Sequence, residues 1–221
     1  MDVAALTLSV ELAGVTLALL LPPGVWLGRC LAYRRFPGRV WVEAAILLPL
    51  VLPPTVLGFY LLMALGAASP LGLWLQQTLG VTLTFNFAGL VIASLVFNLP
   101  FVVQPAQRAF EAIDPRLLEA AALSGLSGWQ TFWRVELPLA WRGIVSAAVL
   151  TFVHTLGEFG VVLMMGGNIP GETRTLAIAI YDRVQAFDWA GAHAMAALLL
   201  ALSLLAVAVS LAATGRRGWQ P

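Results

Sequence analysis

The 221 residues are 60% hydrophobic and only 10% charged, with a net charge of +1. Ordinary globular chains are about 25% charged, so this composition excludes a water-soluble globule and indicates a polytopic membrane protein. All twelve basic residues are arginine; a P-loop needs its lysine, so the chain carries no Walker-type ATPase of its own, and the lone Cys30 excludes an intrachain disulfide or a Cys-rich metal site.

The first apolar run lacks the basic n-region of a signal peptide and reads as a retained span over residues 8–31. Pro22-Pro23-Gly24 is expected to kink or break it, because two backbone donors are missing. Phe36-Pro37-Gly38 then marks a turn. Residues 44–107 hold no Asp, Glu, Lys or Arg. A span needs roughly 20 apolar residues, so two fit there, at 44–66 and 87–107. The first contains Leu48-Pro49-Leu50-Val51-Leu52-Pro53-Pro54, and broken segments of that kind either line a pathway or are packing kinks. Between the two spans, residues 67–86 lie at the interface, as Trp74 suggests, or dip into the bilayer. Further spans are expected at 143–166 and 189–213, giving five in one transmembrane domain covering 1–221.

Arginines concentrate on the cytoplasmic side of membrane proteins. With five spans, Arg29, Arg34, Arg35, Arg39, Arg108, Arg116, Arg134, Arg142, Arg216 and Arg217 fall on one side, and Arg174 and Arg183 on the other. The expected orientation therefore has the N-terminus outside and the C-terminus and residues 108–142 in the cytoplasm.

That polar stretch reads as a helix–turn–helix. Asp114-Pro115 supplies an N-cap and an N1 proline, and Arg116 is spaced to pair with Glu119. Gly125 ends the first helix in the left-handed conformation, and Ser127-Gly128-Trp129-Gln130 has the capping-box pattern. Pro138 is expected to end the second helix before the fourth span. Ala120 and Ala121 leave a face that a partner surface can approach closely. From capping alone, such an element either packs under the bundle or presents itself to a soluble partner.

The spacing Glu-Ala-Ala-x3-Gly-x9-Ile-x-Leu-Pro is the signature of permease subunits of binding-protein-dependent ABC importers. Glu119-Ala120-Ala121, Gly125, Val135, Leu137 and Pro138 resemble it, with Val135 in place of the usual Ile. The resemblance implies an all-α type I importer permease fold and makes this loop the coupling helix, seated in a cleft of the ATP-binding subunit. Phe36-Pro37-Gly38, residues 48–54, Leu156-Gly157-Glu158-Phe159-Gly160 and Asn168–Thr175 look like molybdate permease subunits. Sulfate and thiosulfate permeases are similar around 157–160 and 167–170, but work as two different, longer chains. The family implies a permease homodimer in the cell inner membrane, two ATPase subunits carrying ATP and Mg, and an external oxyanion-binding protein. No cofactor is expected in this chain, and no nucleic-acid partner.

The candidate pathway or gate residues are Pro53, Pro54, Asn98, His154, Glu158 and Arg174. A charge inside a bilayer is costly, and a carboxylate suits a dianion poorly. Glu158 is therefore read as a structural or gating hydrogen-bonding group ahead of a substrate contact. His154, one turn earlier, is spaced to pair with it; with no third ligand the two make no convincing metal site. They would be the acid/base pair of an intramembrane enzyme, a reading that lacks a nucleophile. An autonomous channel or ion-coupled carrier would not need the polar loop. His193 is read as interfacial, and Arg174 with residues 168–175 as outer gate, docking surface or plain surface turn.

Overall fold

Two long helices, α1 (Val3–Tyr33) and α5 (Phe87–Glu111), run side by side and carry the other elements. The computed structural model describes residues 2–215; Arg216 and Arg217 lie outside them. Gly24 of α1 faces Val102 of α5, and Gly28 faces Val103, Ala106 and Gln107. Leu12 shares an apolar cluster with Leu90 and Val91. The offset between partners stays near 78 (24 to 102, 12 to 90), so the two helices point the same way. Both glycines belong to Gly24-Val25-Trp26-Leu27-Gly28, a small-residue spacing that lets helix backbones approach.

The expected break at Pro22-Pro23 does not occur: α1 continues through both prolines. The packing of Gly24 and Gly28 on α5 holds the turns that follow the missing donors. The opposite happens at the second span. There α2 (Arg39–Val51) and α3 (Pro54–Leu65) meet at 113°, with Leu52 and Pro53 extended between them. Pro53 and Pro54 have no N–H to return to the carbonyls of Pro49 and Leu50, so the helical ladder is interrupted there, at a bend whose Val51, Pro53 and Pro54 are exposed. The expected single span is a bent pair.

After α4 (Pro70–Leu79), a short amphipathic helix capped by Ser69, α5 starts on Asn86, whose Oδ1 accepts from Gly89 N–H at 2.9 Å. Next come α6 (Pro115–Leu123), α7 (Gly128–Thr131), a π turn (Phe132–Glu136) and α8 (Leu137–Gly157), the last three continuous with one another. Pro138 therefore does not end a helix; the helix widens by one residue just before it and runs on. Gly143 packs on Ala109 at one end of α8 and His154 meets Asn98 at the other, so α8 is antiparallel to α5. The expected fourth span, 143–166, is instead split at Glu158, with α9 (Gly160–Gly166) beyond the break.

The helices α10 (Leu176–Gln185) and α11 (Trp189–Thr214) complete the fold, capped by Thr175 and Asp188. Among the described residues four helices are long and apolar enough to cross a membrane, or five spans if the bent pair counts as one. Much of α11 is uncovered, including Leu200, Leu204, Leu205, Val209 and Leu211, as suits a lipid-facing helix. The described residues are entirely helix and loop.

Candidate functional site

The α6–α7 stretch is built by its caps. Asp114 Oδ1 accepts from Arg116 N–H at 2.9 Å, with Pro115 at N1. Gly125 has φ +75°, and around it the N–H groups of Gly125 and Leu126 reach the carbonyls of Ala122 (3.0 Å) and Ala121 (3.1 Å). Both halves of the capping box form: Gln130 N–H donates to Ser127 Oγ (3.3 Å) and Ser127 N–H to Gln130 Oε1 (2.9 Å). The Arg116–Glu119 pair is not made among the described residues. Both side chains stay exposed, consistent with how little an exposed pair gains.

Glu119 and Ala120 face outward, Ala121 is buried, and Leu123 is 91% exposed. Ala120, Ala121, Ser124, Arg134, Val135 and Pro138 line a shallow groove of about 370 Å³. Of the sequence-selected residues, Ala120, Ala121 and Pro138 line this groove, the last serving as groove wall rather than helix stop, and Glu119 and Gly125 are exposed.

The other candidates sit deeper. The carboxylate of Glu158 lies at the break between α8 and α9, where Oε1 accepts from Val161 N–H at 2.9 Å. It caps the N-terminus of α9, a favourable place for a negative group. The side of α9 just beyond it packs on α3: Gly160 sits against Pro54 and Thr55, and Gly58 against Val161 and Met164. The two sequence motifs at 48–54 and 157–160 therefore meet, each contributing a broken helix. Glu158→Ala is expected to cost about 1 kcal/mol of stability for the lost cap, and Glu158→Gln less, because an acceptor oxygen remains; thermal unfolding in detergent measures both.

His154 does not pair with Glu158. Its Nδ1 lies 3.1 Å from Asn98 Oδ1, and its ring stacks on Phe101 with centroids 3.9 Å apart. Asn98 spends its amide on the Ser94 carbonyl at 2.8 Å, so its oxygen is the acceptor and His154 Nδ1 carries the proton. The i,i+4 spacing allowed the intrahelical pair, but α8 ends in extended backbone at Glu158, which turns that side chain toward α9. Nearby in register, Thr16, Ser94 and Thr151 bury hydroxyls that find no partner among the described residues. His193 is exposed on α11.

At the opposite end of the bundle from α6, Arg174 is not a free cation. Its Nε donates to Asn168 Oδ1 at 2.6 Å and lies 3.6 Å from Asp182 Oδ2. Asn168 in turn donates to both Asp182 oxygens. The three close the loop 168–175 onto α10.

Sequence reasoning missed one polar pair. Arg29 on α1 donates from Nε and Nη2 to the two carboxylate oxygens of Glu136, the second at 2.8 Å. Glu136 is 3% exposed. The available signal was an acid between Val135 and Leu137, next to the aromatic run Trp129, Phe132 and Trp133, which needs a partner if it is to be buried.

Residues 23–217 match the family described as binding-protein-dependent transport system inner membrane component. The chain is 52% identical over 205 residues to the molybdenum transport system permease protein ModB of Azotobacter vinelandii, spanning 92% of this chain and 90% of that one. Similarity to the sulfate transport system permease protein CysT of Escherichia coli (strain K12) is lower, 35% over 82% of this chain and 65% of that one. A solved bacterial ABC transporter that imports the acidic polysaccharide alginate contains a chain with the same fold, at TM-score 0.79 and 18% identity, covering 99% of this chain and 80% of that one. The chain belongs to the binding-protein-dependent transport system inner membrane components, and within that family it groups with the molybdenum transport permeases.

Proposed function

We propose that the chain is the membrane-spanning permease subunit of an ATP-driven molybdate importer. In this reading it works as a homodimer with two ABC ATPase subunits and an external oxyanion-binding protein, and ATP and Mg bind the ATPase. Its N-terminus lies outside and α6 in the cytoplasm, as the arginine distribution favours. The observation that carries the reading is the exposed pair Glu119 and Ala120 beside an open groove floored by Ala121, in a lysine-free chain that must take its ATPase from elsewhere. Closure of the ATPase pair on ATP draws the two α6 helices together and reopens the path to the outside.

The bent pair α2–α3, the α8–α9 break and the Asn98–His154 link form the wall and gate of that path. The Arg174 clamp shapes the outer surface offered to the binding protein. High-affinity selection falls to the binding protein, and a weakly interacting path releases its cargo quickly.

Vesicles reconstituted with the permease, its ATPase and its binding protein, then given labelled molybdate, tungstate and sulfate, provide the test. ATP-dependent molybdate uptake that sulfate does not suppress is expected. Sulfate uptake with no molybdate uptake would instead support the second reading, a sulfate permease, for which the 35% identity to such a protein speaks. Uptake without ATP or an ATPase subunit would sink both.

A further inference from the structure

The π turn at Phe132–Glu136 has a chemical cause. Pro138 has no N–H for the carbonyl of Arg134, and Leu137 N–H reaches back five residues to Phe132 O. An extra residue in one turn rotates the downstream helix by about 100° relative to an unbroken α-helix. Within this turn Glu136 points inward to Arg29, while Arg134 and Val135 remain on the groove shared with Ala120 and Ala121.

The Arg29 guanidinium is enclosed as well as bonded. It lies 5.3 Å from the Trp26 ring centroid, 5.7 Å from Tyr33 and 5.4 Å from Phe132. Phe132 belongs to the π turn and meets Trp26 edge-on at 6.0 Å. Among the described residues this is the one ion pair that ties the 115–136 stretch to a spanning helix. A buried pair adds little net stability compared with apolar packing of the same shape. It does supply a stiff link of fixed direction, since a two-pronged fork resists rotation and sliding.

We propose that Arg29 and Glu136 are positioning residues of the transport cycle. Their fork passes the displacement of the α6–α7 loop to α1 and, across the Gly24–Gly28 crossing, to α5. The proposal rests on the reading of this chain as an ATP-coupled permease.

The test compares wild type with Glu136→Gln and Arg29→Lys in vesicles containing the full transporter, reading molybdate moved per ATP hydrolysed. Glu136→Gln keeps the shape but loses the charge; Arg29→Lys keeps the charge but loses the fork. The ratio is expected to fall about tenfold in each, within the range of ordinary coupling energies, while ATP hydrolysis continues. If Glu136→Gln fails to assemble, Arg29→Lys carries the test. An unchanged ratio, or transport and hydrolysis falling in equal proportion, would overturn the proposal by reducing the pair to a packing role. A wild-type transporter that moves neither molybdate nor sulfate would refute the permease reading itself, which separates the two failures.

Discussion

Replacing Gly125 with valine is expected to reduce ATP-driven uptake at least about tenfold, while the spanning helices remain folded. Gly125 holds φ +75° at the turn between α6 and α7, and nothing lies within 4 Å of where its Cβ would be. The obstacle is therefore the backbone and not a collision. An L-residue forced into the left-handed region loses roughly 1–2 kcal/mol, and a β-branched one is a worse fit still. The turn relieves the strain by unwinding, which moves Glu119 and Ala120 relative to the groove wall at Arg134 and Val135. Gly125→Asn is the control: asparagine tolerates the left-handed conformation and should keep most of the transport. Uptake and ATP hydrolysis measured together on both variants decide the matter. Wild-type uptake by the valine variant would remove this turn from the coupling surface.

A large effect on stability is expected at Gly28. A Cβ there would stand 2.9 Å from Gln107 N and 2.9 Å from Val103 O, both backbone atoms of α5. Backbone inside a packed helix cannot step aside as a flexible side chain can, so the cost falls on the whole crossing. Gly28→Val should destabilise by about 3 kcal/mol, the upper end for overpacking. Gly14→Ala on the same helix has open space around its Cβ. It should be neutral or stabilising by up to about 1 kcal/mol, the helix-propensity difference. Thermal unfolding in one detergent reads both. Two glycine substitutions of opposite sign on one helix would locate the α1–α5 contact at the Gly24–Gly28 face, and similar values for the two would deny it.

Local chemistry was the readable part of this chain. The caps at Asp114, Gly125 and Ser127 form as their residue types imply, because each needs only a side-chain oxygen or a glycine within three residues of its partner. The prolines were not readable in the same way. Pro22-Pro23 and Pro53-Pro54 are alike as dipeptides, yet α1 continues through one while the chain turns 113° at the other. What differs is the neighbour: α5 packs closely on Gly24 and Gly28 after the first pair, whereas α9 packs on Pro54 and Thr55 at the second, which no local pattern states. His154 shows the same limit. Its spacing to Glu158 was correct for a continuous helix, but the helix stops there, and Asn98, 56 positions away in sequence, takes the hydrogen bond. Arg29 and Glu136 are 107 positions apart, and nothing near either one names the other. Arg174 is a further case: only the fold closes Asn168 and Asp182 on its guanidinium.

The bend between α2 and α3 also bears on how the chain is made. Helices of 13 and 12 residues are each about 20 Å long or less, too short to cross a hydrocarbon layer of about 30 Å alone. Residues 39–65 therefore work as one bent pair, with the carbonyls of Pro49 and Leu50 lacking helical donors from Pro53 and Pro54. The packing of α3 on Gly160 and Val161 waits for α9, whose first residue is made some 95 positions after α3 ends (160 minus 65). At about 5–20 residues per second, that interval is about 5–20 s. Over that interval the elbow lacks the α9 surface on which Gly58 packs in the folded chain.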